Sequence, residues 1–473
     1  MHACTSSQRF GQFGKEFVVG TASAIPPVVP GRLPLLGHLL SLAGGSSRLK
    51  VVQEVRKHGP IVRIVVGSRY VTVINDPDLI NTILVKQAAA VSKGELFEQL
   101  KLFGGMPLPI AEGDAHMRQR RRMQPSFHRK MVGGYVEKMV DTAAPTIDAW
   151  KPGTTIDLMT EMQLVAQSVV MSALFSSVPG PEQAHRIVQS VDTVFRAALL
   201  RSLLPGRTLH NLPTRGNRRI AAANTVLRNT VTRIIQDHRS QPDAYEDLIS
   251  LLMAAHDDTG APLDSEDILS EVTALLAAGT ETTAVTLAWL FHELGRNPDL
   301  ERRLHEEVDS VLVSGQLTAD QLGQLPYTGR LVKETLRLYA PWIVTRKTLR
   351  PVPLGAYVLP AETDLIISPY AVHRDPDLYA DPDRFDPDRW LEDRPQPPKN
   401  AYFPFGTGKR MCIGDEFARM EAIVVTALVA SRFRLKPVPG VVKPVGEITT
   451  HPSRLHMIPV LRRDAPDRSY RFV

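Results

Sequence analysis

The chain has 473 residues, 43% hydrophobic and 22% charged, so it can bury a large core and is neither a disordered nor a fibrous sequence. Its net charge of +6, with a pI near 9.2, suits an acidic protein partner and is too diffuse for a nucleic-acid surface. Two cysteines, Cys4 and Cys412, build no disulfide framework, which predicts a reducing, cytoplasmic setting. No run reaches about 18 consecutive apolar residues, so no transmembrane anchor is expected.

Residues 1–25 are polar and mixed and predict a loose tail. Pro26-Pro27-Val28-Val29-Pro30-Gly31 then forms a stiff leader. Leu49–His58 predicts an amphipathic helix. Ile61–Val66 and Tyr70–Ile74 flank a turn and predict a hairpin. Asp76-Pro77 predicts the capped start of another helix. Residues 92–112 form an apolar loop with Leu96, Phe97, Phe103 and Leu108, a composition that usually covers something. In the basic stretch Gly113–Phe127, His116 and Arg120 are four apart and share a helix face. Arg118, Arg121 and Arg122 beside them read equally as a solvated face or as a docking patch. Residues 135–250 are mostly helical by period, broken near Pro152, Pro179 and Pro205.

The longest helical pattern runs from Asp264 to Arg296, with Asp264 as N-cap and Gly295 and Pro298 as the stop. Its middle reads Ala277-Ala278-Gly279-Thr280-Glu281-Thr282-Thr283. Glycine and threonines weaken a helix interior, so their presence calls for a reason. Small residues there admit a flat object or a small ligand, and a carboxylate beside a hydroxyl suits proton delivery. A plain helix-packing seam is the alternative reading. Glu334 and Arg337 sit three apart on a later helix face. Strand patterns follow at 352–359 and 364–368, then an apolar helix at Phe417–Ser431 and strands near 433–437 and 455–461. The turn around Thr449-Thr450-His451 is expected to reach the substrate pocket.

Phe405-Gly406-Thr407-Gly408-Lys409-Arg410-Met411-Cys412-Ile413-Gly414 is a glycine-rich turn presenting one sulfur. Amides turned toward Cys412 would tune it as a metal ligand, and Arg410 is a cation placed for an anion on the same flat partner. These features suggest haem held by cysteine, against an inert buried cysteine in an ordinary turn.

The stretch resembles the haem-ligand loop of the cytochrome P450 family, Phe-x-x-Gly-x-Arg-x-Cys-x-Gly, at every fixed position. Ala278-Gly279-Thr280-Glu281-Thr282-Thr283 is similar to that family's oxygen-activation motif. The resemblance implies a mainly α fold with a small β region, one large domain over 26–473, and haem b. It implies Cys412 as iron ligand, with Phe405 and Gly406 in its loop and Ala278 and Gly279 against the haem. His116, Arg120, Arg346 and Arg410 would hold the propionates, and Glu281 and Thr282 would deliver protons. Glu334, Arg337 and Arg384 would form a supporting network. Electrons would come from a ferredoxin and its NAD(P)H-dependent ferredoxin reductase, because no flavin or iron–sulfur segment is evident. The overall sequence is similar to terpene-pathway members, which implies a small hydrophobic substrate, such as the sesquiterpene pentalenene, in antibiotic-type secondary metabolism. A haem-thiolate sensor without turnover is the alternative, and Glu281 beside Thr282 speaks against it.

Overall fold

The computed structural model of the chain describes residues 25–203, 212–256, 260–312 and 317–462. The expected tail over 1–25, except Ile25, and Cys4 lie outside them, as do the last residues of the 26–473 domain. The leader lies along the first strand, where Val29 N–H donates to Arg63 O (2.9 Å) and Arg63 N–H to Pro27 O (2.7 Å).

Helix α1 (Gly45–Arg56) precedes the hairpin β1 (Ile61–Val66) and β2 (Arg69–Ile74), which match the predicted runs. β-branched residues, mostly buried along both strands, make this pair part of a five-stranded sheet. The other strands are β3 (Val91–Ser92), β5 (Val344–Thr348) and β6 (Asp364–Ile367), in the order β1-β2-β6-β5-β3. Only the β2–β6 pair is parallel within it. A short strand β4 (Ile156–Asp157) joins β10 (His456–Leu461) and β7 (Phe433–Pro437) in a second sheet. The strands β8 (Pro444–Gly446) and β9 (Thr450–Pro452) form a small pair.

Helices make the bulk of the molecule. In chain order they are α2 (Gly113–Met123), α3 (Val136–Asp148), α4 (Leu158–Phe175), α5 (Pro181–Leu203), α6 (Arg215–Ser240), α7 (Ser265–Arg296), α8 (Pro298–Val311), α9 (Pro326–Leu338) and α10 (Asp415–Arg432). The expected mainly α architecture with a small β region is observed. α7 has 32 residues and is about 48 Å long. Asp264 stands at its N-cap with extended backbone, but its side chain makes no cap bond. α4 and α7 are long and apolar enough to cross a membrane, yet 83% and 72% of those spans are buried inside the protein. They are core helices, apolar because most of each is packed inside the protein.

The supporting network differs from expectation in one arginine. Glu334 and Arg337 are wholly buried on α9, and Arg337 donates to both carboxylate oxygens (2.9 and 2.8 Å). The third member is Arg389, 3.4 Å from Glu334, not Arg384. Arg384 is exposed and lends only its carbonyl, which accepts from Arg337 at 3.1 Å. The chain repeats one pentad, Asp381-Pro-Asp-Arg-Phe385 then Asp386-Pro-Asp-Arg-Trp390. Both repeats touch α9, but the second is the one that reaches Glu334, to which Asp386 N–H and the Trp390 indole also donate (both 3.0 Å).

Candidate active site

The loop before α10 is closed by its own backbone. Gly406 N–H donates to Phe403 O, Met411 N–H to Gly408 O and Cys412 N–H to Phe405 O, all at 3.0 Å. Gly406 and Gly408 take φ +72° and +73°, a left-handed region that side chains resist. Gly408 has a second constraint, because a Cβ there would lie 2.5 Å from Leu84 O. Gly408→Ala is expected to cost about 2 kcal/mol or more, from strain and overpacking together. A thermal melt and haem content check this; an unchanged midpoint would contradict it.

Cys412 is a free thiol with an accessible side chain. Surrounding protein nonetheless pushes the thiol above the ordinary cysteine range; the Gly414 N–H and the more distant Arg120 and Arg419 act the other way. Accessible yet enclosed describes a sulfur facing an inner cleft. Only the Gly414 amide is turned on the sulfur; the cysteine's own amide is used to close the loop.

α7 has a matching feature. Between Ile268 and Leu294 it is mostly buried, but Leu275, Ala278, Gly279, Thr282 and Thr286 are less so. Their spacing of three and four residues puts them on one helix face. Thr282 is the most open, and its hydroxyl donates back to Ala278 O at 2.8 Å. Gly279 serves the packing seam as well: a Cβ there would meet Val170 of α4 at 2.6 Å. Its missing side chain is therefore required by helix contact, where the sequence suggested clearance for a ligand.

Glu281 is buried and turned away from Thr282. Gln163 of α4 donates to its Oε2 at 2.8 Å, and Thr449 reaches Oε1 at 3.4 Å. Burial, which His451 partly offsets, raises its carboxyl above the usual range. The two predicted proton-handling residues thus share a turn without bonding to each other.

A second constellation gathers basic groups. His116 and Arg346 are buried, and Arg410 carries a buried Nη1 with no partner. Arg410 pairs with Glu112, whose other oxygen accepts from Lys93 N–H at 2.6 Å. Arg120 donates to Met411 O at 2.5 Å, tying α2 to the cysteine loop, and Arg346 donates to Thr345 O at 2.7 Å. Burial first, then Lys93 and the three arginines, lower His116 to about 4. Burial and Arg410 lower Arg346 to about 10. Lys93, which sequence reasoning missed, falls to about 7, mainly by burial. Gly94 at φ +84° lets the chain press against the Arg346 backbone, and this glycine was the available signal for Lys93. Two carboxylates, Glu112 and Glu271, face these five basic side chains, and burial raises Glu271 to about 7. A buried surplus of cation donors fits a dianionic group such as the two propionates of haem.

A small apolar cavity, open to solvent, lies between α1 and the five-stranded sheet. Trp342, Ile343 and Thr345 line it, as does Arg346.

The comparisons agree with this reading of the fold. Residues 26–459 match the family described as Cytochrome P450, and the chain belongs to it. It is 36% identical over 433 residues to cyclooctat-9-en-7-ol 5-monooxygenase of Streptomyces melanosporofaciens, covering 89% of this chain and 94% of that one. It is 37% identical over 437 residues to cyclooctatin synthase of the same organism, covering 91% and 95%. It is 36% identical over 445 residues to pentalenene oxygenase of Streptomyces avermitilis, covering 93% and 97%. The chain is a haem b monooxygenase of this family, an oxidoreductase and not a sensor.

Proposed function

We propose that this enzyme oxidises a terpene, with Cys412 as the iron ligand. The observation that carries the ligand assignment is the accessible but enclosed thiol beside a buried surplus of cations. The substrate class is supported by the names of the three relatives matched along nearly their full length. Haem held by thiolate supplies oxygen activation, since the thiolate's electron donation favours O–O cleavage.

The remaining roles belong to the chain. Lys93, His116, Arg120, Arg346 and Arg410 bind and orient the propionates. Phe405 and Gly406 shape the loop around the sulfur, and Ala278 and Gly279 shape the helix face opposite. Glu281 holds a proton, and Thr282 presents a hydroxyl at the cleft to pass it on. Because Glu281 faces away from Thr282, transfer between them needs a side-chain rotation or water. Electrons come from a ferredoxin and an NAD(P)H-dependent ferredoxin reductase, docking as acidic protein on the basic face that includes exposed Arg121. Such redox partners suit a cytoplasmic enzyme, the setting expected from the cysteine content.

The test is turnover of candidate terpenes, pentalenene among them, under ¹⁸O₂ with NAD(P)H, ferredoxin and reductase. Incorporation of one labelled oxygen per product supports the reading; product without external electrons contradicts it. Thr282→Ala is expected to lower product per NAD(P)H about tenfold, with the electrons appearing as hydrogen peroxide. Stability should hold, because alanine suits a helix better than threonine. Full coupling in that variant would remove Thr282 from the proton path.

A further inference from the structure

Glu281 needs a source of protons, and its surroundings offer one that neither motif contains. Gln163 uses both amide hydrogens, donating to Glu281 Oε2 and to Asp192 Oδ1 of α5, each at 2.8 Å. That clamp holds Oε2, and on Oε1 the Thr449 hydroxyl makes a long contact of 3.4 Å. His451 Nε2 lies 3.9 Å from Oε1, and its side chain is 14% exposed where Glu281 is 7% exposed. The imidazole thus joins a buried acid to the outside.

Its tautomer is set by a second contact. His451 Nδ1 lies 2.7 Å from Pro452 O, so Nδ1–H donates there. In the neutral ring Nε2 is then the bare nitrogen, and it faces Glu281. The strand that carries the ring is tied to α7. β9 pairs with β8 at His451↔Val445. Trp289 of α7 donates to Thr450 O at 2.6 Å, and Thr450 donates to Ala340 O at 2.5 Å. The charged groups around this pair are Asp192 and Arg196 of α5 and Glu447 of the turn before β9. No other contact described on these residues needs His451 to stand here.

We propose that His451 is the relay residue that recharges Glu281 with protons from solvent. Water protonates Nε2, the imidazolium passes that proton to Glu281 Oε1, and the ring returns to its neutral Nδ1–H form. Across 3.9 Å the transfer runs through one water or a small rotation. The proposal rests on Glu281 being the proton holder, and the test separates the two.

The experiment compares Glu281→Gln, His451→Phe and His451→Gln as haem-loaded enzymes with the same redox proteins and substrate. One readout is the infrared band of the protonated carboxyl that disappears in Glu281→Gln. Since His451 lowers the Glu281 titration, that band should persist to higher pH in His451→Phe. The other is turnover in H₂O and D₂O. Both His451 variants should turn over about tenfold more slowly, with a solvent isotope effect larger than that of the native enzyme. If both keep native rates, isotope effect and titration while Glu281→Gln is impaired, the relay is wrong and Glu281 stands. If His451→Gln alone is native, His451 serves structure only. If Glu281→Gln is itself unimpaired, the acid assignment falls and the relay with it.

Discussion

Glu334→Ala is expected to abolish recovery of folded, haem-loaded protein. The carboxylate has no exposure and accepts from Arg337, Arg389, Trp390 and the Asp386 amide. Removing it leaves Arg337 as an unpaired buried cation, at a cost of about 3–5 kcal/mol for the pair alone. A typical domain has only about 5–15 kcal/mol in total. The other end of Arg337 donates to His373 O and Pro382 O (2.7 and 2.6 Å), so its loss of register spreads to the segment carrying the cysteine loop. Soluble yield and haem content measure this. By contrast Arg384→Ala should melt within about 0.5 kcal/mol of the native protein, as exposed substitutions do. A stable, haem-loaded Glu334→Ala protein would show that the network is decoration.

Cys412→Ser is expected to remove oxygenation of substrate entirely while leaving the polypeptide folded. The serine hydroxyl fits the same loop, whose closure uses backbone groups at Phe405 and Gly408. What disappears is the soft thiolate donor. Product formation should drop to that of free haem, and far-UV circular dichroism should be unchanged. Retained oxygenase turnover in this variant would require another ligand, and no other cysteine lies among the described residues.

Much of the architecture is readable from the chain because its signals are local. The α7 span follows from one unbroken helical pattern between clear caps, and β1 and β2 follow from β-branched runs around a turn. The cysteine loop and the Ala278–Thr283 stretch are legible for the same reason: each is contiguous. What depends on distant partners is not. Two Asp-Pro-Asp-Arg repeats, one followed by Phe385 and the other by Trp390, both offer an arginine, and only the contacts of Glu334 on α9 select the second through Trp390 and Arg389. The partners of Glu281 come from α4 and the C-terminal strand pair, with Gln163 118 residues away. Gly279 shows a third kind of limit. A small residue in a helix states that something comes close, but not whether it is a ligand or Val170 of a neighbouring helix.

The most direct test of the account is the absorption spectrum of the purified enzyme, reduced and exposed to carbon monoxide. A Soret band far to the red of the position given by histidine-ligated haem is the predicted result, and it should vanish in Cys412→Ser. Haem bound without that shift in the native protein would mean that Cys412 is not the thiolate ligand, and the site built around it would be wrong.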